Sequence, residues 1–321
     1  MTAILEASDL DLVYETEAGS VQALDGLDLT LAAGETLAIV GESGSGKSTL
    51  GLAVGRLLPP AAQHRGGRLE IAGSPVFTAD ARSMRRLRRE TLGFVFQNPM
   101  SSLDPTMRIG RQVARASGGT ASEGRIVELL AKAELDAPEQ LLRRYPHELS
   151  GGMAQRVVIA MAIARAPALL VADEPTASLD VSIRAKVMAT LLALQREAGA
   201  GLMLLTHDLH LAARHCQRLA VMYAGRIVEI GPSAAVLSRP GHPYTKGLLA
   251  AAAGTEAPGE MLEPIPGLPP VLRGTAPDCS FAPRCPYVER RCRELRPAAR
   301  RLDRREIACH FAERLLAGGE P

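Results

Sequence analysis

The sequence predicts an α/β protein in which a mainly parallel sheet is covered by helices on both faces. Two observations predict this class. Over roughly the first 250 residues, short apolar strand patterns alternate with helical patterns, as in chains that form parallel sheets. Alternating apolar and polar residues near 4–12, 27–31 and 221–230, the last around Ala224-Gly225, predict an additional antiparallel sheet.

The elements follow in a defined order along the chain. Thr36–Val40 is predicted to be a strand, and a glycine-rich loop and a helix from Lys47 follow it. Residues 82–165 are more helical and are expected to form an inserted helical subdomain. Further strands at 168–172 and 201–206 enclose a helix at 181–198. We therefore expect one domain over residues 1–253.

Composition and charge narrow the classes of partner. The chain has 321 residues, of which 46% are apolar, enough for a sizeable core. Its formal net charge of +2 creates no global field that would favour nucleic acid. A run of arginines precedes residue 93 and is interpreted as a solvated helix face rather than a nucleic-acid contact: Arg82, Arg85, Arg86, Arg88 and Arg89.

Neither a signal peptide nor a spanning helix is predicted. Residues 1–12 contain three acidic residues, which a signal peptide would lack. The most apolar stretch, 157–172, is interrupted by Arg165 and Pro167, whereas a span needs about 20 apolar residues. We expect a soluble, cytosolic protein, so that any work at a membrane would require another chain to span it.

The glycine-rich loop matches the phosphate-loop pattern G-x-x-x-x-G-K-[ST]. It follows a strand and opens a helix, which is the context that supports such a match. Small residues let backbone N–H groups approach phosphate oxygens, and the helix N-terminus adds positive potential. Lys47 would contact the β- and γ-phosphates, and Ser48 would ligate Mg²⁺. The predicted ATP-binding residues here are Gly41, Ser43, Gly44, Ser45, Gly46, Lys47, Ser48 and Thr49.

Two acids end the apolar strand at 168–172. Asp173 is predicted to bind Mg²⁺, and Glu174 to act as the general base that polarises the attacking water. On its own, a strand that ends in two acids could equally be solvated. Its position downstream of a phosphate loop favours hydrolysis of a nucleotide. The fold expected at this point is that of a P-loop NTPase with a RecA-like core.

The segment from Leu149 to Arg156 resembles the signature sequence of the ABC ATPases. Ser150, Gly151 and Gly152 would present a hydroxyl and bare amides at a helix N-terminus. In that family the signature faces the phosphate loop of an opposite subunit, with ATP between them. The resemblance implies an ABC nucleotide-binding domain that cannot complete a site alone. It also implies a second ATPase subunit as partner.

Other positions match the same family in the same order. The resemblance implies that Gln97 contacts Mg²⁺ and the attacking water and relays to membrane subunits. It implies that Ser178, Leu179 and Asp180 form a loop that crosses the dimer interface. His207 would hold the γ-phosphate, and Tyr14 would stack on adenine.

Finer details resemble the oligopeptide and dipeptide permease subfamily of importers. They lie at residues 96–105, 180–182 and 241–245 and at Met153, which is typical of one of that subfamily's two ATPase subunits. The resemblance implies peptide import, with nickel or metal-chelate import as the alternative. Its partners would be two membrane-spanning permease subunits, a solute-binding protein and a second, different ATPase subunit. We expect no nucleic-acid partner and a peripheral location on the cytoplasmic face of the inner membrane.

A soluble ABC ATPase acting on nucleic acid or the ribosome is the rival class, but it would carry coiled-coil insertions or two cassettes.

The composition changes after residue 253. Six prolines between 254 and 277 predict an extended linker. A cysteine-bearing extension follows and completes a predicted region 254–321. Its spacing is C-x5-C-x6-C-x16-C, formed by Cys279, Cys285, Cys292 and Cys309.

Four clustered thiols in a cytosolic protein indicate a metal more often than disulfides. Zinc sites use closer cysteine pairs than these, and Pro286 follows Cys285 as in ferredoxin motifs. In some members of the resembled subfamily this extension resembles a [4Fe–4S] site, so such a cluster is the leading expectation, with zinc and free thiols as alternatives. Nine arginines between 284 and 305 could offset the charge of an anionic cluster. They could equally contact anionic lipid or form a solvated face. The remaining cysteine, Cys216, is interpreted as a buried apolar residue.

Overall fold

The structure is a computed structural model that describes residues 2–177, 179–253 and 265–318. Ser178, from the loop predicted to cross the dimer interface, lies outside the described residues. So do residues 254–264 of the predicted linker. Everything below refers to the described ranges.

A large mixed sheet forms the centre of the molecule. In the described ranges it has eight strands, in the spatial order β11-β12-β10-β9-β3-β8-β7-β6. The run from β9 to β6 is parallel, whereas β10, β12 and β11 are joined antiparallel at one edge. The strands are β3 (Thr36–Val40), β6 (Leu92–Val95), β7 (Leu169–Asp173), β8 (Gly201–Thr206), β9 (Arg218–Tyr223), β10 (Arg226–Pro232), β11 (Arg300–Leu302) and β12 (Arg305–Ile307).

A second, antiparallel sheet packs against the first. Its described strands follow the order β2-β1-β4-β5. The two long strands β1 and β2 form a hairpin that pairs Leu5 with Leu31 and Leu12 with Leu24. The strands are β1 (Ala3–Thr16), β2 (Gly19–Ala32), β4 (Ala62–Ile71) and β5 (Ser74–Pro75).

The helices fall into a core set, an inserted set and a C-terminal set. Core helices cover the large sheet: α1 (Lys47–Val54), α8 (Val181–Ala198), α9 (Leu209–His215), α10 (Ser233–Ser238) and α11 (Pro243–Ala253). Those inserted between β5 and β7 are α2 (Ala81–Glu90), α3 (Pro99–Ser102), α4 (Ile109–Ala116), α5 (Glu123–Lys132), α6 (Pro138–Leu141) and α7 (Gly151–Ile163). Two short helices complete the C-terminal part: α12 (Arg290–Glu294) and α13 (Ala312–Leu316).

The strands of the parallel sheet are apolar on both faces because each face is covered. On β3, Leu37 and Ile39 join the core shared with the antiparallel sheet and α1. The alternate residues Ala38 and Val40 join the core beneath α7, α8 and α9. Side chains of a strand alternate between faces, so this five-residue strand contributes to two cores. It is thereby fixed at the centre of the fold, and the phosphate-loop pattern follows it directly.

Two parts of the sheet differ from the sequence-based expectation. Residues 221–230 do form a hairpin, but its strands belong to the large sheet, because β9 pairs parallel with β3. The alternating pattern predicts a strand without fixing its neighbour. The C-terminal region also adds β11 and β12 to the edge of the same sheet through β10.

In the described ranges, no helix combines the length and the apolar character needed to cross a bilayer.

Candidate functional site

The loop between β3 and α1 has a backbone path that requires glycine at two positions. A Cβ atom on Gly41 would lie 2.2 Å from the carbonyl oxygen of Met222. Gly46 has a φ of +106°, and its Cβ would lie 2.6 Å from the carbonyl oxygen of Ala23. Both approaches are far inside van der Waals contact. The two ends of the loop are therefore pressed against neighbouring backbone and only glycine fits.

Lys47, the first residue of α1, points back across the loop. Its Nζ donates to the carbonyl oxygens of Gly41 at 2.7 Å and Glu42 at 3.0 Å. Burial lowers the pKa of Lys47, while the carboxylates of Glu174 and Asp173 act in the opposite direction. The amine is thus buried beside the loop, and the two carboxylates offset part of the effect of burial on its charge. From there it can contact phosphate oxygens.

Asp173 ends β7 beside Ser48. Burial raises the pKa of Asp173, and a hydrogen bond with the Ser48 side chain opposes that shift. Its Oδ1 is buried and has no hydrogen-bond partner among the described residues. A buried carboxylate oxygen without a partner is costly unless a cation or donor satisfies it. A carboxylate next to a hydroxyl, with nucleotide phosphates completing the shell, suits Mg²⁺, so these residues fit the predicted ion.

Glu174 follows Asp173 in a left-handed backbone conformation. Its φ is +46°, which costs a residue with a Cβ about 1–2 kcal/mol. Its backbone N–H donates to the carbonyl oxygen of Leu205 at 2.9 Å. Its Oε1 lies 2.7 Å from Nδ1 of His207 and 3.0 Å from the backbone N of His207. Two neighbouring strand ends therefore hold the predicted base and the predicted γ-phosphate ligand together.

A cavity of about 460 Å³ collects most of the predicted nucleotide site. Tyr14 lines one side, with its hydroxyl 3.3 Å from Oγ1 of Thr49, and Gln97 lines another. The predicted residues in its lining are Tyr14, Ser43, Gly44, Gly46, Lys47, Ser48, Thr49, Gln97, Glu174 and His207. Gly41, Ser45 and Asp173 are absent from that described lining. Gly41 and Ser45 are buried, and Asp173 is partly buried.

Sequence reasoning missed three residues of the cavity. Val21, Gln22 and Ala23 of β2 also line the cavity, and Ala23 lies next to Gly46 of the loop. These are ordinary strand residues with no motif, and only the packing of β2 against the start of α1 brings them there. No signal in the sequence could have identified them.

The signature segment lies elsewhere on the chain. Ser150 is the exposed N-cap of α7, and its Oγ accepts from the backbone N–H of Met153 at 3.3 Å. Gly152 is close-packed, because a Cβ there would lie 2.7 Å from Cγ2 of Ile183. Ser150, Gly151, Gly152 and Asp180 are not among the described residues that line the nucleotide cavity. At this helix start Ser150 and Gly151 are exposed, whereas Gly152 is buried.

The structure gives no support to the predicted [4Fe–4S] cluster or to zinc. All five cysteines lie in the described ranges and are free thiols. Within those ranges no group of three or more His, Cys, Asp or Glu side chains is arranged to hold a metal ion. Burial raises the pKa of Cys285 to about 11 and of Cys309 to about 12.

The arginines near these cysteines have other partners. They were expected to offset the charge of a cluster, yet five of the nine pair with carboxylates. The pairs are Arg284–Glu42, Arg290–Glu294, Arg296–Asp25, Arg300–Glu313 and Arg305–Glu229. Three of these carboxylates come from before residue 230 and tie the C-terminal region to the rest of the fold. Cys216 is 6% exposed, as expected of an apolar core residue.

Comparison with known families gives two matches. Residues 24–177 match the family described as ABC transporter. Residues 228–292 match the family described as Oligopeptide/dipeptide transporter, C-terminal region. The first match contains the phosphate loop, the signature segment and the two terminal acids. The second contains the 241–245 segment and the first three cysteines of the extension.

Curated relatives are similar over most of this chain. The oligopeptide transport ATP-binding protein OppD of Bacillus subtilis is 42% identical over 296 residues, covering 90% of this chain and 83% of that protein. OppD of Escherichia coli is 41% identical over 315 residues, covering 96% and 93%. OppD of Mycobacterium bovis is 43% identical over 305 residues, covering 92% of this chain but 50% of that protein. This chain therefore spans about half the length of the mycobacterial relative.

Solved structures share the fold. The dimeric ABC transporter cassette MJ0796 has a TM-score of 0.63 and is 29% identical, covering 71% of this chain and 98% of that one. The same cassette, in a dimeric post-hydrolysis state bound to ADP and Pi, gives a TM-score of 0.64 at 30% identity, with the same coverage. The cbiO1 protein of Clostridium perfringens, part of the transporter complex cbiONQ, gives 0.64 at 28% identity, covering 74% and 92%.

Proposed function

This chain belongs to the family of ATP-binding proteins of oligopeptide and dipeptide ABC transporters, and from that premise we propose that it is the ATP-hydrolysing subunit of an importer of oligopeptides or dipeptides. The observation that carries the proposal is the single cavity that brings Lys47, Ser48, Gln97, Glu174 and His207 together. A phosphate contact, a metal ligand and a general base are thereby within reach of one bound nucleotide.

Each residue has a role that follows from its chemistry. Lys47 and the loop amides bind the phosphates and orient the γ-phosphoryl group for in-line attack. Mg²⁺, when bound by Ser48, Asp173 and Gln97, would neutralise charge that develops on the phosphate oxygens. Glu174 takes a proton from the attacking water, which typically contributes about 10²- to 10⁴-fold in rate. His207, hydrogen-bonded to Glu174, orients that carboxylate and contacts the γ-phosphate.

A second nucleotide-binding subunit completes the site. The start of α7 combines the hydroxyl of Ser150 with the positive end of a helix dipole, which together attract a phosphate. Because these groups lie outside the cavity of their own chain, they serve the cavity of a partner. ATP would join two such faces, and hydrolysis would release them. The dimeric state of the cassette relatives supports this arrangement. Whether the partner is a different chain, as we propose, is decided by co-purification.

A groove next to Gln97 is the proposed contact with the membrane-spanning subunits. It has a volume of about 640 Å³ and lies between the inserted helices and β6. Phe94 and Phe96 stack at a centroid distance of 5.6 Å and form its apolar floor. Its rim carries Arg88, Arg89, Arg115 and Arg165. An apolar floor with a basic rim suits an amphipathic cytoplasmic segment that carries acidic residues. Such docking would place this chain peripherally on the cytoplasmic face of the membrane.

The transported substrate is chosen by other subunits, so its test is made in cells. We would remove the gene for this chain and restore it as the wild type or as Glu174→Gln, then measure uptake of a labelled tripeptide, a labelled dipeptide and nickel. The proposal expects peptide uptake to return with the wild type only. Restoration of nickel uptake alone would instead assign the chain to a metal importer. Unchanged uptake of all three in the deletion strain would contradict an importer function.

A further inference from the structure

The second residue of the phosphate loop, Glu42, is held by Tyr244 of α11 and by Arg284 of the C-terminal region. Its backbone N–H donates to the hydroxyl of Tyr244 at 2.9 Å. Its carboxylate accepts two bonds from Arg284, at 2.6 Å from Nη1 and 3.0 Å from Nη2. Its carbonyl oxygen accepts from Nζ of Lys47 at 3.0 Å. More than two hundred positions separate Glu42 from the first two partners, so this contact is purely tertiary.

Arg284 is itself fixed on all sides. Its side chain is 4% exposed and sits in the short turn Ala282–Arg284, between Cys279 and Cys285. Nε donates to the carbonyl oxygen of Pro266 at 2.8 Å, and Nη2 to that of Ile265 at 3.2 Å. Because the N–H donors of the guanidinium group are directed at acceptors, the Arg284 side chain has little conformational freedom. Its bidentate pair with Glu42 is therefore preorganised.

Tyr244 is equally constrained. It is fully buried, and its ring lies 4.6 Å from the ring of Tyr223 and 5.4 Å from that of Phe281, between centroids. The guanidinium carbon of Arg284 lies 5.8 Å from the centroid of the Tyr223 ring. Both partners of Glu42 therefore rest on one aromatic cluster, formed by Tyr223, Tyr244 and Phe281.

We propose that Arg284 and Tyr244 are positioning residues for the phosphate loop, acting through Glu42, and that the C-terminal cysteine region thereby sets the affinity for nucleotide. This inference rests on the proposed ATP-binding function. It assigns the C-terminal region a role at the site itself, in addition to its role as the edge of the sheet.

The mechanism is both geometric and electrostatic. The bond from Glu42 N–H to Tyr244 fixes the entry of the loop, so that the later amides keep their direction toward phosphate. Without Arg284, the carboxylate of Glu42 would be an unpaired negative charge beside the loop. It would repel the nucleotide phosphates and compete for the ammonium group of Lys47. The pair with Arg284 removes that charge from the site.

The experiment measures the Kd of ATP by calorimetry for the full chain and its variants. Arg284→Gln is expected to weaken ATP binding by about 10-fold, the equivalent of about 1.4 kcal/mol. In chains that already carry Glu42→Gln, adding Arg284→Gln is expected to raise the Kd of ATP by less than 3-fold, because no carboxylate is then left unpaired. The matched control, Arg293→Gln, alters an exposed arginine of α12 and should leave the Kd unchanged.

Two further variants keep the test informative if Arg284→Gln folds poorly, which a melting curve would reveal. Tyr244→Phe keeps the ring and removes only the acceptor of the Glu42 N–H, and it should weaken binding several-fold. Arg284→Lys keeps the charge but loses the bidentate fork, and it should restore part of the affinity. In turnover assays the losses should appear in KM more than in kcat.

The possible outcomes distinguish failure of this inference from failure of the proposed ATP-binding function. Wild-type affinity in both Arg284→Gln and Tyr244→Phe would overturn the inference alone. So would an Arg284→Gln effect of equal size in the presence and absence of the Glu42 carboxylate. A wild-type chain that binds no ATP would overturn the proposed function and this inference together.

Discussion

Oε1 of Glu174 lies 2.7 Å from Nδ1 of His207, and the backbone N of His207 lies 3.0 Å from the same oxygen. The two residues follow the ends of the neighbouring parallel strands β7 and β8. Because parallel strands end at the same edge of a sheet, residues 33 positions apart meet over the phosphate loop. This pairing holds the carboxylate at the nucleotide cavity, which both side chains line.

Replacing the proposed general base should separate binding from hydrolysis. In Glu174→Gln the side chain keeps its size and can still hydrogen-bond to His207, but it can no longer take a proton from water. We expect kcat for ATP hydrolysis to fall by about 10²- to 10⁴-fold while the Kd of ATP changes by less than about 3-fold. Glu139→Gln, at an exposed position of α6, is the control. Near-normal hydrolysis by Glu174→Gln would remove this residue from the mechanism.

Replacing the lysine that we propose to contact phosphate should greatly weaken the binding of ATP. In Lys47→Ala the loop loses the ammonium group that bridges the carbonyl oxygens of Gly41 and Glu42 and that would contact phosphate. We expect the affinity for ATP to fall by at least about 100-fold, in line with the loss of a buried charge-assisted contact. Titration with a fluorescent ATP analogue measures it. Lys186→Ala on the exposed side of α8 should bind as the wild type does, and equal binding by both variants would contradict the assignment.

Because Ser150 lies outside the nucleotide cavity, we predict that the rate of ATP hydrolysis depends on the association of two ATPase subunits. On the proposed arrangement, a monomer would have a phosphate loop without a facing signature, and its site would be incomplete. Hydrolysis per chain should rise with chain concentration, or on addition of a second ATPase subunit, until the pair is saturated. A dilution series of ATPase rates, combined with sedimentation in the presence of ATP, measures this. Full turnover in particles that sediment as monomers would exclude a shared site.

The buried pair of Arg305 and Glu229 should hold the C-terminal region on the sheet. Their side chains are 1% and 0% exposed, and Nη1 of Arg305 lies 3.5 Å from Oε1 of Glu229. Arg305→Ala would leave a buried carboxylate without its cation, which typically costs about 3–5 kcal/mol. Urea unfolding should show a loss of that order. The exposed neighbour variant Arg301→Ala should lose less than about 0.5 kcal/mol. Equal stability of the two variants would contradict an anchoring role.

His242 should make stability depend on pH. Complete burial lowers the pKa of its ring to about 3, and Nδ1 accepts a hydrogen bond from the Tyr244 N–H at 3.0 Å. In the unfolded chain a histidine titrates near 6.5. The unfolded state therefore binds a proton that the folded state excludes. The histidine contribution to stability is fully present above about pH 7, and it falls by up to about 1.4 kcal/mol per pH unit between about pH 6 and pH 3.

The test for His242 is a set of unfolding curves between pH 7.5 and about pH 4.5, a range chosen to stay above most carboxyl pKa values. His242→Asn offers an oxygen to the same Tyr244 N–H without a proton to gain, so the slope below pH 6 should become shallower by about one proton. The exposed His147→Asn is the control and should keep the wild-type slope. Identical slopes in all three proteins would refute the prediction.

Motifs were the most reliable guide to the site, because each is contained in a short stretch of chain. The loop from Gly41 to Ser48 and the acids Asp173 and Glu174 stand where the alternation of strands and helices predicts strand ends. Roles for Gln97 and His207 could be predicted only through resemblance to a family, since a lone glutamine or histidine after a strand does not indicate any particular function. Val21 and Gln22, which line the nucleotide cavity, belong to no sequence motif that could have identified them.

The C-terminal region is where the structure supports the sequence-based expectation least. The subfamily resemblance, the cysteine spacing and Pro286 led us to expect an iron–sulfur cluster, with the arginines able to offset its charge. In the fold, arginines such as Arg284 and Arg296 reach carboxylates far away in the sequence. Composition counts charges but cannot say which are already paired. The placement of residues 221–230 in the large sheet is a similar case, because an alternating pattern specifies a strand and not the strand beside it.

The sequence by itself determined the class of fold, the phosphate loop, the two acids at the end of β7 and the order of the motifs. These depend on local periodicity and on contiguous residues, which a linear pattern records. Only the tertiary structure decided which strand ends share a cavity, that Ser150 lies outside it, and that Tyr244 and Arg284 hold Glu42. Those relations join residues up to 242 positions apart. They arise from packing of sheets and helices against one another, which no local pattern encodes.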